Sequence, residues 1–485
     1  MFCILHISDL HRSPDEPVDN DSLIAALLAD RDRYSGETPI VPSPDAIIVS
    51  GDIIQGAPIG HSNWQEVMNN QYIVASTFLD HLTHRFLDGD RSKLIIIPGN
   101  HDVCWNTSFA SMERVPESEY PSDVRQYLIR PESIYRWSWT ERALYRIRDT
   151  AAYNHRMNAF WNFAENFYKD VKLLKPIDRL RGFQLFELHD RRIVLAAFDS
   201  IFGNDCFAYS GAIPRKAIAR FALDLRDTPH CYDLRIAVWH HSIHGPPMRD
   251  DYMDAGQVGE MAGFGFQLGI HGHQHAAAAM THYVHLSESH SMAVVGAGSL
   301  CAGSKELPRG VNRQYNLVVI EDDLLRARVH VREIGEGEQF SRKSNGIFSQ
   351  GFVELSWQAN TNVMGIKTDA REENIRQTIL EAEDALKTGY ARKAIELLQD
   401  IELSSASHAR RIVIEAALKL EDWTLLVTTL THPQSIEEAI LLVSALIQTN
   451  NIDRATATLN SNLDIDVATR RDLEGQIETK KMMRY

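Results

Sequence analysis

Asp9 with His11, Asp52, Asn100 with His101, His240 with His241, and His273 with His275 share one placement in the chain. Each follows directly on an apolar run: FCILHIS, AIIVSG, KLIIIPG, RIAVW and QLGIHG. Carboxylate, carboxamide and neutral imidazole are metal-ligand types, and this mixture of oxygen and nitrogen donors suits borderline ions such as Mn, Fe, Zn or Co. One histidine after a strand is ordinarily a packed or solvated residue. Five such ends in one region argue for a common site. The donors suffice for two ions, and a carboxylate shared between them would hold the pair about 3.5–4 Å apart, the separation used for in-line displacement at phosphorus.

The elements that must position these groups are short and rich in Val and Ile. Residues 2–7, 46–50, 93–97, 192–198, 235–239, 267–270, 292–297 and 315–320 read as strands, alternating with longer polar or helix-like stretches. The first 333 residues are therefore expected to be mixed α/β. Residues 104–182 break the rhythm with a stretch dense in Trp, Tyr and Phe. Leu144, Ile147, Ala151, Trp161, Ala164, Phe167 and Val171 fall near helical spacing there, which predicts an inserted helical subdomain. The segment 104–181 carries 13 Arg and Lys against 10 Asp and Glu, so it is locally positive in an acidic chain. Residues 334–368 have linker composition with some strand-like residues, and from 369 to 485 the pattern is almost purely helical. Three segments there, TGYARKAIELLQ, LEDWTLLVTTL and TNNIDRATATLN, recur at a spacing near 30 residues, as a stack of helical hairpins would, and resemble a short tetratricopeptide-like array.

The chain has 485 residues, 44% apolar and 24% charged, with a formal net charge of −15, which excludes a surface that is basic all over. Five scattered cysteines with no C-x-x-C pair argue against a thiolate zinc site and for a reducing compartment, read here as the cytoplasm. The start, MFCILHISD, offers too short an apolar stretch for a signal peptide, and no run suits a membrane span.

The five blocks D-x-H (Asp9 to His11), G-D (Gly51, Asp52), G-N-H-D (Gly99 to Asp102), H-H (His240, His241) and G-H-x-H (Gly272 to His275) resemble, in order and approximate spacing, those of the calcineurin-like metallophosphoesterases. FDS (198–200) and GAGS (296–299) agree with late core strands and a turn near the site. The resemblance implies an α/β fold, a two-sheet sandwich flanked by helices, here with a helical insert and an all-α C-terminal domain. It also implies a dinuclear centre of divalent or mixed-valence transition metals, manganese favoured. Asp9, His11 and His275 would hold one ion, Asn100, His240 and His273 the other, and Asp52 would bridge them. His101 would stay free of metal as the catalytic group, with Asp102 bracing its loop and His241 supporting the ligands from behind. The implied reaction is phosphoester hydrolysis by a metal-bound hydroxide.

Protein phosphatases of this superfamily carry GDYVDRG and RGNHE blocks, where this chain reads GDIIQGA and PGNHDVC. Phosphodiesters are the favoured substrates, in nucleic acid or nucleotides. The alternatives are a small cyclic nucleotide or a phosphomonoester. The insert follows G-N-H-D directly, and its Tyr135, Arg136, Trp137 and Trp139 offer stacking faces and a guanidinium for such a substrate. The C-terminal hairpins point to a protein partner or self-association. A scaffold that has lost catalysis is disfavoured because none of the expected ligands is replaced.

Overall fold

The computed structural model describes residues 1–358, except 16–17, 129, 215, 229, 245–250, 284–290 and 304–305. It also describes residues 378–482, except 380, 384, 387–388, 404–405, 434–435 and 461–466. The chain divides into two compact units, the first comprising the described residues up to 358 and the second those from 378 onward.

In the first unit the strands are β1 (Phe2–Ile7), β2 (Ala46–Ser50), β3 (Leu94–Ile97), β4 (Met112–Arg114), β5 (Tyr135–Ser138), β6 (Ala143–Ile147), β7 (Phe183–Leu188), β8 (Ile193–Phe198), β9 (Leu234–Val238), β10 (Leu268–His271), β11 (Ala278–Tyr283), β12 (Ser291–Gly296), β13 (Gln314–Ile320), β14 (Arg326–Ile334), β15 (Phe340–Arg342) and β16 (Val353–Ser356). One sheet runs β15-β14-β13-β1-β2-β3 with β16 also on β14, and a second runs β11-β12-β10-β9-β8-β7. Side chains alternate across each strand. Ile193, Leu195 and Ala197 of β8 join β1, β2 and β3 in the core between the sheets. Val194, Ala196 and Phe198 instead face a second core with the helices Ala217–Arg226 and Ala255–Gly263. The outer face of the first sheet is covered by Asn20–Arg31 and Trp64–Phe86, whose Leu23, Leu27, Ala75, Phe78 and Leu79 are buried. Strands buried on both faces need no polar alternation, which is why AIIVS and LIII are continuous apolar runs.

Pairing direction decides where the polar groups land. β1, β2 and β3 are mutually parallel, and so are β8, β9, β10 and β12. Their carboxyl ends therefore collect at common edges, where open α/β sheets place their sites.

One expectation is corrected and another is made more specific. The insert contains helices, notably Asn158–Phe167, but it also holds a three-stranded sheet, β4-β6-β5. Leu144 and Ile147 lie on β6, not on a helix, because their partners Trp137 and Met112 supply ladder bonds that a 3.6-residue pattern cannot reveal. Within the expected linker with some strand, 334–368, the described residues form β15 and β16, which pair with β14 and extend the core sheet, with Leu355 and Trp357 buried in its core; residues 359–368 lie outside the described residues.

The second unit is all-helical among its described residues. The pairs Ala391–Leu398 with Ser407–Lys419, Trp423–Thr429 with Ile436–Gln448, and Ile452–Asn460 with Val467–Met482 follow one another, the first packed round Ala394, Leu398 and Ile412 and the other two round Leu426, Leu446, Ile452 and Ile477. The first helices of the pairs begin at 391, 423 and 452, just after the three similar segments start. No described helix is long and apolar enough to cross a membrane.

Candidate metal centre

The loops after β1 and β2 continue to pair beyond the strands: Asp9 N donates to Gly51 O, His11 N to Asp52 O, and Arg12 N to Ile53 O. To keep both chains in step while turning their side chains into one cavity, Asp9, His11 and Asp52 adopt positive φ of 52°, 44° and 51°. His273 and His275 do the same at 77° and 53°. Five non-glycine residues held in this region are a concentration of backbone strain, which folds retain where function demands it. Gly51 and Gly99 permit the closeness. A Cβ on Gly51, whose φ is +99°, would lie 2.3 Å from His240 Nδ1, and one on Gly99 would lie 2.1 Å from Asp52 Oδ1.

Asp9, His11, Asp52 and His275 place one donor atom each within 4.8 Å of all the others. His11 Nε2 lies 3.2 Å from His275 Nε2 and 3.8 Å from Asp52 Oδ2. His275 Nε2 lies 3.3 Å from Asp9 Oδ1. On the far side of Asp52 a second donor set gathers. His240 Nε2 is 3.4 Å from Asp52 Oδ2 and 3.0 Å from Asn100 Oδ1, and His273 Nδ1 is 3.1 Å from the same Asn100 oxygen. Asp52 Oδ2 thus borders both sets, while its Oδ1 accepts from His101 N.

Backbone carbonyls fix the tautomers. His240 Nδ1 donates to Ser50 O, and His275 Nδ1 donates to Glu306 O. A carbonyl only accepts, so each ring keeps a proton on Nδ1 and directs Nε2 inward, the arrangement that orients metal-binding histidines. His273 faces inward with Nδ1, and its Nε2 lies 3.5 Å from Asp251 Oδ2. Asp9 Oδ1 is buried without a hydrogen bond. Asp9, His11 and His275 thus face one another round that oxygen, an arrangement of oxygen and nitrogen donors that a metal cation would suit. The donor set of Asp9, His11, Asp52 and His275 fits a metal ion on that ground.

The electrostatics agree. Burial, then His101, lowers His11 to about 4, leaving a neutral ligand ring. Burial opposes charge on His240, yet Asp52 and Asp9 outweigh it and push that ring up to about 9. The same buried carboxylates would welcome a metal cation in the proton's place. Burial would raise Asp52, but His240, His101 and His11 hold it well below the usual carboxylate range.

His101 stands apart from both sets. Its Nδ1 donates to Gln55 O and its ring meets His11 edge-on at 4.5 Å, which leaves Nε2 as the nitrogen free for chemistry. Asp102 is fully buried and accepts from Gly99 N, Ile53 N and the Tyr72 hydroxyl. Burial, then Asp52, pushes it up to about 7. His241 offers nothing to a metal, since its ring nitrogens engage Ser200 Oγ and Asn204. Ser200 Oγ also accepts from the backbone of His240 and His241, and Ser299 Oγ donates to Asp9 O, so the FDS and GAGS turns anchor the ligand loops.

The substrate candidates fare differently. Arg136 is a correction: it is buried, paired with Asp205, and donates to Tyr153, Gly203 O, Ser133 O and Tyr135 O. Every arm of the guanidinium is engaged within the protein, so it clamps the insert onto the 203–208 loop and has no donor left for a phosphate. Tyr135 and Trp137 are half-buried, flanked by Tyr127 and by Tyr120 and Trp139 respectively, and Trp139 is 78% exposed. Among the described residues no hydrogen bond or ring contact joins these three to the metal cluster. Sequence reasoning missed Gln55, Glu306 and Ser50, which act through main-chain carbonyls that carry no signature of residue type.

The chain aligns with several solved structures. A dimetal phosphatase from Danio rerio aligns at 10% identity and a TM-score of 0.39, covering 74% of this chain and 99% of its own. A 5'-nucleotidase from Candida albicans aligns at 14% identity and 0.35, covering 80% and 57%. Vps29 from Entamoeba histolytica aligns at 8% identity and 0.25, covering 74% and 100%. No curated protein matches the chain. The family model for calcineurin-like phosphoesterases matches residues 3–277, more than half of the sequence and all five ligand-bearing loops, and the chain belongs to that family.

Proposed function

We propose that this protein is a dinuclear-metal phosphodiesterase acting on nucleic-acid or nucleotide phosphodiesters. The observation that carries the reading is the pair of adjoining donor sets that share Asp52. Asp9, His11 and His275 would hold one ion with Asp52, and Asn100, His240 and His273 the other. Bound there, manganese or a similar ion would supply an activated water at neutral pH and neutralise charge on the phosphoryl group. The protein does the rest. Ser50, Glu306 and Asp251 orient the ligand rings, Asp102 fixes the loop of Asn100, and His101 Nε2 carries a proton towards the departing oxygen. Tyr135, Trp137 and the exposed Trp139 form an aromatic surface on which bases would stack. The hairpins of the second unit, read as a tetratricopeptide-like array, would bind a protein partner or a second copy.

Purified protein loaded with Mn²⁺ is expected to hydrolyse bis(p-nitrophenyl) phosphate and to lose that activity to a chelator. Activity that resists chelation, or none with Mn²⁺, Fe²⁺, Zn²⁺ or Co²⁺, refutes the reading. A matched panel of single-stranded DNA, duplex DNA, RNA, cyclic nucleotides and phosphomonoesters then separates the substrate classes.

A further inference from the structure

Two histidines whose rings both contact His11 owe their orientation to carbonyls of two otherwise unrelated loops. His101 donates through Nδ1 to Gln55 O at 2.8 Å, and His275 donates through Nδ1 to Glu306 O at 3.0 Å. These carbonyls belong to residues whose side chains meet: Gln55 Nε2 donates to Glu306 Oε1 at 2.8 Å, although 251 positions separate them. Glu306 is further tied down, since its Oε2 accepts from Gly303 N and its own N donates to Gly303 O. Gln55 is anchored from behind, because the buried Gln71 side chain accepts from Gly56 N and donates to Gly56 O.

The result is a continuous strap: His101 ring, Gln55 carbonyl, Gln55 amide, Glu306 carboxylate, Glu306 carbonyl, His275 ring. We propose that Gln55 and Glu306 are positioning residues that set where His101 Nε2 stands relative to the Asp9–His11–His275 donor set. The link joins the loop after β2 to the segment after β12, and among the described residues it is a side-chain hydrogen bond between the two carriers. Both residues lie at a partly exposed rim, where a bond made only for stability is worth little. A proton carrier misplaced by about 1 Å can cost on the order of 10²-fold in rate, so the strap's value lies in geometry. The inference rests on the proposed hydrolytic reading for its kinetic readout.

The chemistry of the pair supplies its own test. Gln55→Glu puts two carboxylates face to face and breaks the bond. Glu306→Gln keeps it, because the Gln55 amide can turn its oxygen towards the new donor. The double swap Gln55→Glu with Glu306→Gln restores it with reversed polarity: the amide introduced at position 306 would donate to the carboxylate introduced at position 55, while its oxygen still accepts from Gly303 N. Hydrolysis of bis(p-nitrophenyl) phosphate by the Mn²⁺ protein is followed as kcat and KM, bound metal is counted by mass spectrometry, and the ring N–H signals of the metal-free protein are read after selective ¹⁵N-histidine labelling. The expected result is a 10- to 100-fold fall in kcat for Gln55→Glu with metal content kept. Its His101 Nδ1–H signal should shift or broaden. Both readouts should return in the double swap to within about threefold and to the original shift, respectively. An unchanged kcat and spectrum in Gln55→Glu, a loss of metal that accounts for the lost rate, or no recovery in the swap overturns the strap. Wild-type protein with no hydrolysis would refute the phosphodiesterase reading instead, and the spectra would still decide whether the pair positions His101.

Discussion

The buried carboxylate of Asp102 offers the sharpest test of how this centre is held. It accepts from Gly99 N at 2.8 Å, Ile53 N at 3.1 Å and Tyr72 Oη at 2.9 Å. Ile53 follows Asp52 and Gly99 precedes Asn100, so one side chain staples the loop of the shared ligand to the loop of the carboxamide ligand. Asp102→Ala leaves two buried backbone donors and the Tyr72 hydroxyl unsatisfied, at about 1–3 kcal/mol each, for a total loss of about 3–9 kcal/mol. Tyr72→Phe removes a single bond, at about 1–3 kcal/mol for a charged acceptor. Asp102→Asn keeps the brace: its oxygen can serve both backbone N–H groups, and the Tyr72 hydroxyl can rotate to accept from the amide, giving up only its own donated bond. The expected order of stability in urea, followed by tryptophan fluorescence, is wild type and Asp102→Asn together, then Tyr72→Phe, then Asp102→Ala. Metal counted after dialysis should fall in Asp102→Ala alone, chiefly at the Asn100 set. If Asp102 were instead a metal ligand or a proton donor, Asp102→Asn would fail as badly as Asp102→Ala in metal binding or turnover. A severe defect in Asp102→Asn, or a harmless Asp102→Ala, would refute the brace.

Asp52→Asn is expected to lose metal and turnover together, since both donor sets border one carboxylate oxygen; metal analysis beside the activity assay checks this. His101→Ala should keep both ions and lose about 10²- to 10⁴-fold in kcat, and a parallel loss of metal would mark it as a ligand. Burial, then the neighbouring His271, lowers His6 to about 3, and burial with Arg328 does the same for His330. The unfolded chain binds protons at these rings below about pH 6.5 while the folded chain does not, so stability present above that pH is lost as pH falls towards 3, at up to about 1.4 kcal/mol per pH unit per ring. Urea midpoints at pH 7 and pH 5 should therefore differ less in His330→Phe than in wild type. Removing the second unit should spare hydrolysis of the model substrate only if the cut falls after Trp357; a cut near 345 removes β16 from its sheet, and thermal unfolding of the two truncations separates the cases.

The sequence by itself determined the candidate donor residues and the sheets that carry them. Both are local: a doubly buried strand must be apolar throughout, and a metal centre needs Asp, Asn and His where the strand stops, so LIII followed by PGNHD announces strand, turn and site together. The helical second unit was equally legible from its period. What only the tertiary structure decided depends on partners far along the chain or on atoms common to every residue. The fate of Arg136 turned on Asp205, 69 positions away, which converted a candidate phosphate contact into a buried clamp. The place of β15 and β16 turned on β14, because short strands acquire meaning only from the edge they join. The insert's sheet was hidden for the same reason: YRWS and ALYRI pair with each other across a turn, and their apolar spacing also fits a helix. The ring orientations of His101, His240 and His275 were set by carbonyls of Gln55, Ser50 and Glu306. Every residue has a carbonyl, so no reading of side-chain types could have chosen those three.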